Sequence, residues 1–344
     1  MSGSRPAQLA VGIDVGGTKL KVCAATLDGR ILAISEARGP AGRHTTQVLK
    51  DVQACFKDVL DTAAALIGSD VIAGAVGLVT PGVIGEDGIA LTPNNPGMET
   101  PLPADTIAAM LGVGNVAWAN DVKAAAMADY QWGELQGARC GLYINLGTGL
   151  SAGAVIDGKP LMGANGAALE IGYLLPVSAS HTRGHRSGRA PLEDAISGRA
   201  LGDRALASTG EPATASEILG AWATNPDSGT ALSELGAEFV NELIHMASNL
   251  AITLDPDSIS IGGGVTAAAE VFMPRLRDAL DEFVPYPPAV TVSPMAGDLS
   301  MLGALLIAYQ SLEAPVPSLC LPLPAAVPEP DETLRMPEPS HAGA

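Results

Sequence analysis

The chain has 344 residues, 47% of them apolar and only 3% aromatic, with a net charge of -18. That is enough apolar sequence for one large or two medium domains with a core of Ala, Val, Leu and Ile. The charge argues against nucleic acid and anionic membrane as partners, since neither attracts an acidic protein. Four dispersed cysteines with no C-x-x-C pair indicate neither a disulfide framework nor a zinc cluster. Free thiols, no signal-like leader and no bilayer-length apolar stretch make the cytoplasm the expected compartment.

Residues 1–8 read as a polar lead. From residue 9 strands alternate with helices, the α/β pattern. Residues 11–19 read Val-Gly-Ile-Asp-Val-Gly-Gly-Thr-Lys, an apolar strand entering a glycine-rich turn, and a second strand runs on to Asp28-Gly29. A helix is expected over 45–67 and a buried strand over 71–79, ending at Thr80-Pro81-Gly82. Asn94-Asn95-Pro96-Gly97 reads as a loop. A strand over 113–119 leads to Asn120, which opens a helix to about residue 135. Residues 142–149, Leu-Tyr-Ile-Asn-Leu-Gly-Thr-Gly, then repeat the opening motif, again followed by a strand and an Asp-Gly pair, Asp157-Gly158. Helices follow at about 193–208, 214–224 and 229–253. A strand over 258–261 ends in Gly262-Gly263-Gly264. A helix at 266–283, a strand at 289–293 and a helix at 300–312 close the pattern. The last 32 residues hold eight prolines, and a disordered tail is expected over 313–344.

Glycine turns let backbone amides approach an anion and form a concavity for phosphate. Two in one chain point to two facing lobes that grip one polyphosphate. Gly16, Gly17 and Thr18 offer amides and a hydroxyl, with Lys19 a further cation beside them. Asp14, at the strand end, suits Mg2+ held through water. Gly147, Thr148 and Gly149 form the second grip, where Asn145 replaces the acid. Asp121 follows a strand and opens a helix. Helix capping would explain an Asn or Asp there, but Asn120 can cap while Asp121 faces the cleft.

The order of these motifs, and the run from Asp157 to Gly172 above all, resembles the ROK family of sugar kinases across about residues 9–312. The resemblance implies two ribonuclease-H-like, actin/hexokinase-like lobes with an interlobe active site. The first lobe would comprise 9–119 with 300–312, the second 120–299. It implies ATP and Mg2+ as donor and metal, and Asp121 as the base that deprotonates the acceptor hydroxyl. Asn120, Glu170 and Glu193 would contact a sugar, and Gly262, Gly263 and Gly264 would lie flat against the nucleotide; Asn95, in the Asn-Asn-Pro-Gly loop, is a further candidate for the sugar. The family's histidine after Glu-Ile-Gly is here Tyr173, and its zinc-binding cysteines are missing from 178–189, where His181 and His185 lack two further ligands. Zinc is therefore not expected, and the acceptor stays open among a hexose, an amino sugar and a C7 cyclitol. A homodimer is the assembly the family suggests. A sugar-sensing regulator is the rival reading, and the first strand's start near residue 9 leaves no room for a DNA-binding module ahead of it.

Overall fold

The computed structural model describes residues 5–85, 88–91, 104–177, 184–312, 314–320 and 323. Two five-stranded sheets carry the same topology in succession. The first is built from β1 (Ala7–Val15), β2 (Lys19–Thr26), β3 (Ile31–Arg38), β4 (Val71–Thr80) and, further along the chain, β7 (Ala117–Asn120), in the order β3-β2-β1-β4-β7. The first three strands are antiparallel, and β1, β4 and β7 are parallel. Helix α1 (Thr45–Ile67) covers this sheet with Val48, Val52, Phe56 and Val59. A two-stranded ribbon, β5 (Val83–Gly85) and β6 (Gly88–Leu91), and the helix α2 (Ala104–Leu111) precede β7. The helix that follows β7, α3 (Asp121–Trp132), begins where expected.

The second sheet repeats the plan with β8 (Cys140–Leu146), β9 (Leu150–Ile156), β10 (Lys159–Pro160), β11 (Ser258–Gly262) and β12 (Ala289–Val292), in the order β10-β9-β8-β11-β12. The β9–β10 turn has both Asp157 and Gly158 at positive φ, 48° and 75°, the type I′ geometry that an Asp-Gly pair supplies in a two-residue hairpin. Between β10 and β11 lie α4 (Glu193–Ile196), α5 (Gly198–Thr209), α6 (Ala215–Thr224) and the 24-residue α7 (Ala231–Leu254). These pack with α8 (Ala269–Phe283) around Phe239, Leu243, Phe272 and Leu276 to form the larger core.

The last helix, α9 (Leu299–Gln310), returns to the first sheet and is apolar on nearly every side. It lies against β1 and β4 on one side and α3 on the other. The approach is close enough that a Cβ at Gly77 would sit 2.0 Å from the Ala304 carbonyl oxygen. Only glycine fits there.

The expected disorder from residue 313 does not hold for 314–320. This stretch runs against the β2–β3 turn and the end of α3. Pro317 O accepts a 2.9 Å hydrogen bond from Trp132 Nε1, and the Cys320 amide donates to Gly29 O at 3.2 Å. Val316 and Leu319 pack on the cluster that holds Tyr309 and Leu305. Proline bars a helix or a sheet interior, but it favours a solvated extended strap anchored by side chains. No described helix is long and apolar enough to cross a membrane.

Candidate active site

Each glycine turn sits at the tip of the corresponding antiparallel pair, β1–β2 and β8–β9, and the two tips face each other. Thr18 and Thr148 hydroxyls meet at 3.4 Å. In both turns two carbonyls are consumed by amides from elsewhere in the chain. Gly39 and Ala41 donate to Thr18 and Gly17, while Gly198 and Arg199 donate to Gly147 and Thr148. Neither turn therefore presents those oxygens to an incoming anion. A cavity of about 250 Å3 opens beside the turns, and Asp14, Gly16, Gly17, Thr18, Thr148 and Gly149 line it.

Asp14 is the last residue but one of β1, and its Oδ1 is buried with no hydrogen-bond partner. Burial, reinforced by the charges of Asp121 and Asp298 and opposed by Lys21, pushes its carboxyl up to about 8. An orphaned carboxylate of this kind fits a divalent cation. Mg2+ is commonly held by one or two carboxylates together with water and phosphate oxygens. Lys21, on the neighbouring strand, is spent elsewhere, bonded to Asp298 Oδ1 at 2.7 Å and paired with Glu36 at 3.2 Å.

The division of labour at the start of α3 is visible atom by atom. Asn120 Oδ1 accepts from the Lys123 amide at 3.0 Å and Nδ2 donates to Gly82 O at 2.8 Å. Asn120 is thus the helix cap and also ties down the Pro81-Gly82 turn. Asp121, released from capping, lines the cavity and accepts from the Val122 amide at 2.8 Å. Burial lifts its carboxyl to about 6, against the pull of that amide.

Two further carboxylates line the cavity. Glu193, at the start of α4, is 6% exposed. Its Oε2 accepts from the Leu150 amide at 3.0 Å and its Oε1 from Arg199 Nη2 at 3.1 Å. Glu170 follows Leu169, which adopts φ 62°. A left-handed γ-branched residue costs energy, and such backbone strain clusters at functional sites. Glu170 Oε1 is 3.8 Å from the ammonium of Lys123, whose side chain is 4% exposed. Tyr173 closes this side, with its ring edge-on to His185 at 5.4 Å.

Several residues singled out in the sequence stand apart. Lys19 is an exposed residue at the start of β2 and does not line the cavity. Gly147, Gly262, Gly263 and Gly264 do not line it either. Gly263, at φ 90°, backs onto the second turn, where a Cβ would lie 2.4 Å from the Leu146 carbonyl. Tight packing thus accounts for that glycine, whereas a Cβ at Gly264 would meet nothing within 4 Å. Asn95 and His181 lie outside the described residues. Conversely, Lys123 and Arg199 went unnoticed in the sequence. Lys123 sits before a run of alanines, and nothing in its sequence neighbours marks it.

Two facing glycine turns, a buried carboxyl with an unpartnered oxygen and an acid freed from capping line one cavity, in a fold shared with ROK hexokinases and glucokinases. A family model described as ROK family matches residues 10–311, and the chain belongs to that family. It is 30% identical over 305 residues to an N-acetylmannosamine kinase of Citrobacter koseri, spanning 87% of this chain and 98% of that protein. It is 28% identical over 310 residues to a kanosamine kinase of Amycolatopsis mediterranei, spanning 87% and 95%. A Streptomyces griseus ROK family glucokinase solved with glucose and AMPPNP superposes with a TM-score of 0.69 at 24% identity, covering 88% of this chain and 99% of the other.

Proposed function

We propose that the protein transfers the γ-phosphoryl group of ATP to a primary hydroxyl of a hexose-like ring, with Asp121 as the general base. The observation that carries this reading is the placement of Asp121 in the cavity with its capping duty taken over by Asn120. A base poised near the working pH contributes ~10²–10⁴ in rate. With its carboxyl near 6, Asp121 is ionised at neutral pH yet basic enough to take a hydroxyl proton.

Gly16, Gly17 and Thr18 on one side and Thr148 and Gly149 on the other would hold the donor's phosphates. Asp14 would hold Mg2+, through water, and the ion supplies neutralisation of phosphate charge when bound. The contact between Thr18 and Thr148 gives way as phosphate oxygens replace each hydroxyl's partner. Glu170, Glu193 and Tyr173 would orient the acceptor ring, and Asn120 keeps one amide hydrogen and one lone pair for the same task. Closure of the lobes around the ring excludes water, which would otherwise compete for the phosphoryl group.

Among acceptors, a hexose is the primary reading, and an amino sugar or a C7 cyclitol the alternative. The relatives named above favour a six-carbon ring. A coupled ADP-release assay across glucose, mannose, their N-acetylamino counterparts, glucosamine and a cyclitol tests the proposal. Turnover with one or more of them is expected. Sugar binding without ADP release would instead favour a sugar-sensing protein of the same fold.

A further inference from the structure

We propose that the acceptor side of the cavity is charge-balanced from within and therefore selects an uncharged ring over the same ring bearing a free ammonium group. This rests on the kinase reading above, and it narrows the acceptor to a neutral hexose, an acylated amino sugar or a neutral cyclitol.

Four carboxylates line the cavity among the described residues: Asp14, Asp121, Glu170 and Glu193. Taken alone they describe an acidic pocket suited to a cation, and the chain's net charge of -18 reinforces that impression. Asp14 belongs to the phosphoryl side in the reading above, and Asp121 is the base at the one hydroxyl that reacts, which leaves Glu170 and Glu193 for the rest of the ring. The two that remain for the acceptor each carry a resident cation. Glu193 is held by the Arg199 guanidinium at 3.1 Å, with its second oxygen on the Leu150 amide. Glu170 faces the Lys123 ammonium at 3.8 Å.

The Lys123 pair is the more telling. Its Nζ is buried without a hydrogen-bond partner, and 3.8 Å is an ion pair rather than a hydrogen bond. An ammonium in that position is tolerable only beside negative charge. Burial pushes Lys123 below the ordinary lysine range, while Glu170 and Asp121 pull it back up. Lys123 thus depends on Glu170, and Glu170 is not available to a second cation. Arg199 is held by two independent contacts, since its amide donates to Thr148 O at 3.3 Å while its side chain reaches Glu193. Both cations are fixtures of the site. A substrate ammonium would meet two carboxylates that are already paired, the like charge of Arg199 on the cavity wall and that of Lys123 buried behind Glu170, and like-charge juxtaposition is a strong device for rejecting a partner.

A direct comparison tests this. kcat/KM is measured at about pH 6, where the free amines are almost wholly ammonium ions, for glucose, N-acetylglucosamine, N-acetylmannosamine, glucosamine and kanosamine. The best neutral ring is expected to exceed the free amines by about 30-fold, as one like charge roughly 8 Å away at an effective dielectric near 20 implies. Lys123→Met and, separately, Arg199→Gln each release one carboxylate. Either variant should shrink that ratio by about 10-fold or reverse it. The ratio is taken within one protein preparation, so partial loss of folded enzyme does not move it. Arg199 is half exposed, so its replacement keeps the test open if Lys123→Met does not fold. A wild-type enzyme that phosphorylates glucosamine or kanosamine as well as the neutral rings overturns the inference and leaves the kinase reading standing. Variants whose ratio stays at the wild-type value overturn it too. No phosphorylation of any acceptor removes the kinase reading and this inference together.

Discussion

Asp121→Asn should make the protein more stable while nearly abolishing turnover. Asn keeps the shape and the acceptor for the Val122 amide but removes the charge. The folded carboxyl is raised from 3.8 to about 6. The sign follows from linkage: a carboxyl with a raised folded value binds more protons folded than unfolded between those two values. Its presence therefore costs nothing below about 3.8, and the cost grows as pH rises to about 6 and is constant above. Two units at 1.36 kcal/mol each give an upper bound of about 3 kcal/mol. Water in the open cavity screens part of this, so about 1–3 kcal/mol is expected. Urea unfolding of nucleotide-free protein at about pH 5 and pH 8 measures it. The variant should gain more at pH 8 than at pH 5, while kcat falls by ~10²–10⁴. A stability gain equal at both pH values, or a variant no more stable than wild type at pH 8, would refute the electrostatic argument. Turnover within tenfold of wild type would remove Asp121 from the chemistry.

Other outcomes are expected alongside. In wild type, kcat/KM should fall on the acid side with an apparent midpoint near pH 6, as the Asp121 carboxylate takes up a proton; a profile flat down to about pH 5 would contradict this. Asp14→Asn should cut turnover by at least ~100-fold and abolish the Mg2+ dependence of ATP-analogue binding measured by calorimetry. Gly77→Ala should lower the thermal midpoint clearly, by about 1–3 kcal/mol of stability, because its Cβ would meet the Ala304 carbonyl at 2.0 Å. Deleting residues from 314 onward should red-shift tryptophan fluorescence and lower the melting temperature, since Trp132 loses its partner at Pro317.

The features legible in the sequence are those whose chemistry is local. Glycine turns, Asp-Gly pairs and the Asn-Asp helix start depend on a few adjacent residues, and both sheets and the helix after β7 stand where those signals put them. The strand before Asn120 is shorter than expected, covering Ala117–Asn120 rather than 113–119, since Val113 and Gly114 belong to the turn leaving α2. That helix, α2, was not read at all. Lys123 and Arg199 escaped notice for a different reason. Lys123 becomes a buried cation because the fold brings its ammonium beside Glu170, far along the chain. Arg199 reaches Glu193 only because the start of α5 hangs from the carbonyls of Gly147 and Thr148. Such meetings are made by tertiary packing and leave no short-range pattern. The strap at 314–320 was misjudged because proline content speaks against regular structure and says nothing about docking.

The placement of α9 bears on how the molecule is made. Strands β1 to β4 leave the ribosome well before α9, and the face of β1 and β4 that carries Gly12 and Gly77 stays uncovered until Leu299–Gln310 has been synthesised. The intervening 140–292 region contains its entire sheet and can assemble meanwhile. The first-born half is therefore the last to finish, and its apolar surface is the stretch most exposed to aggregation or chaperone capture during translation.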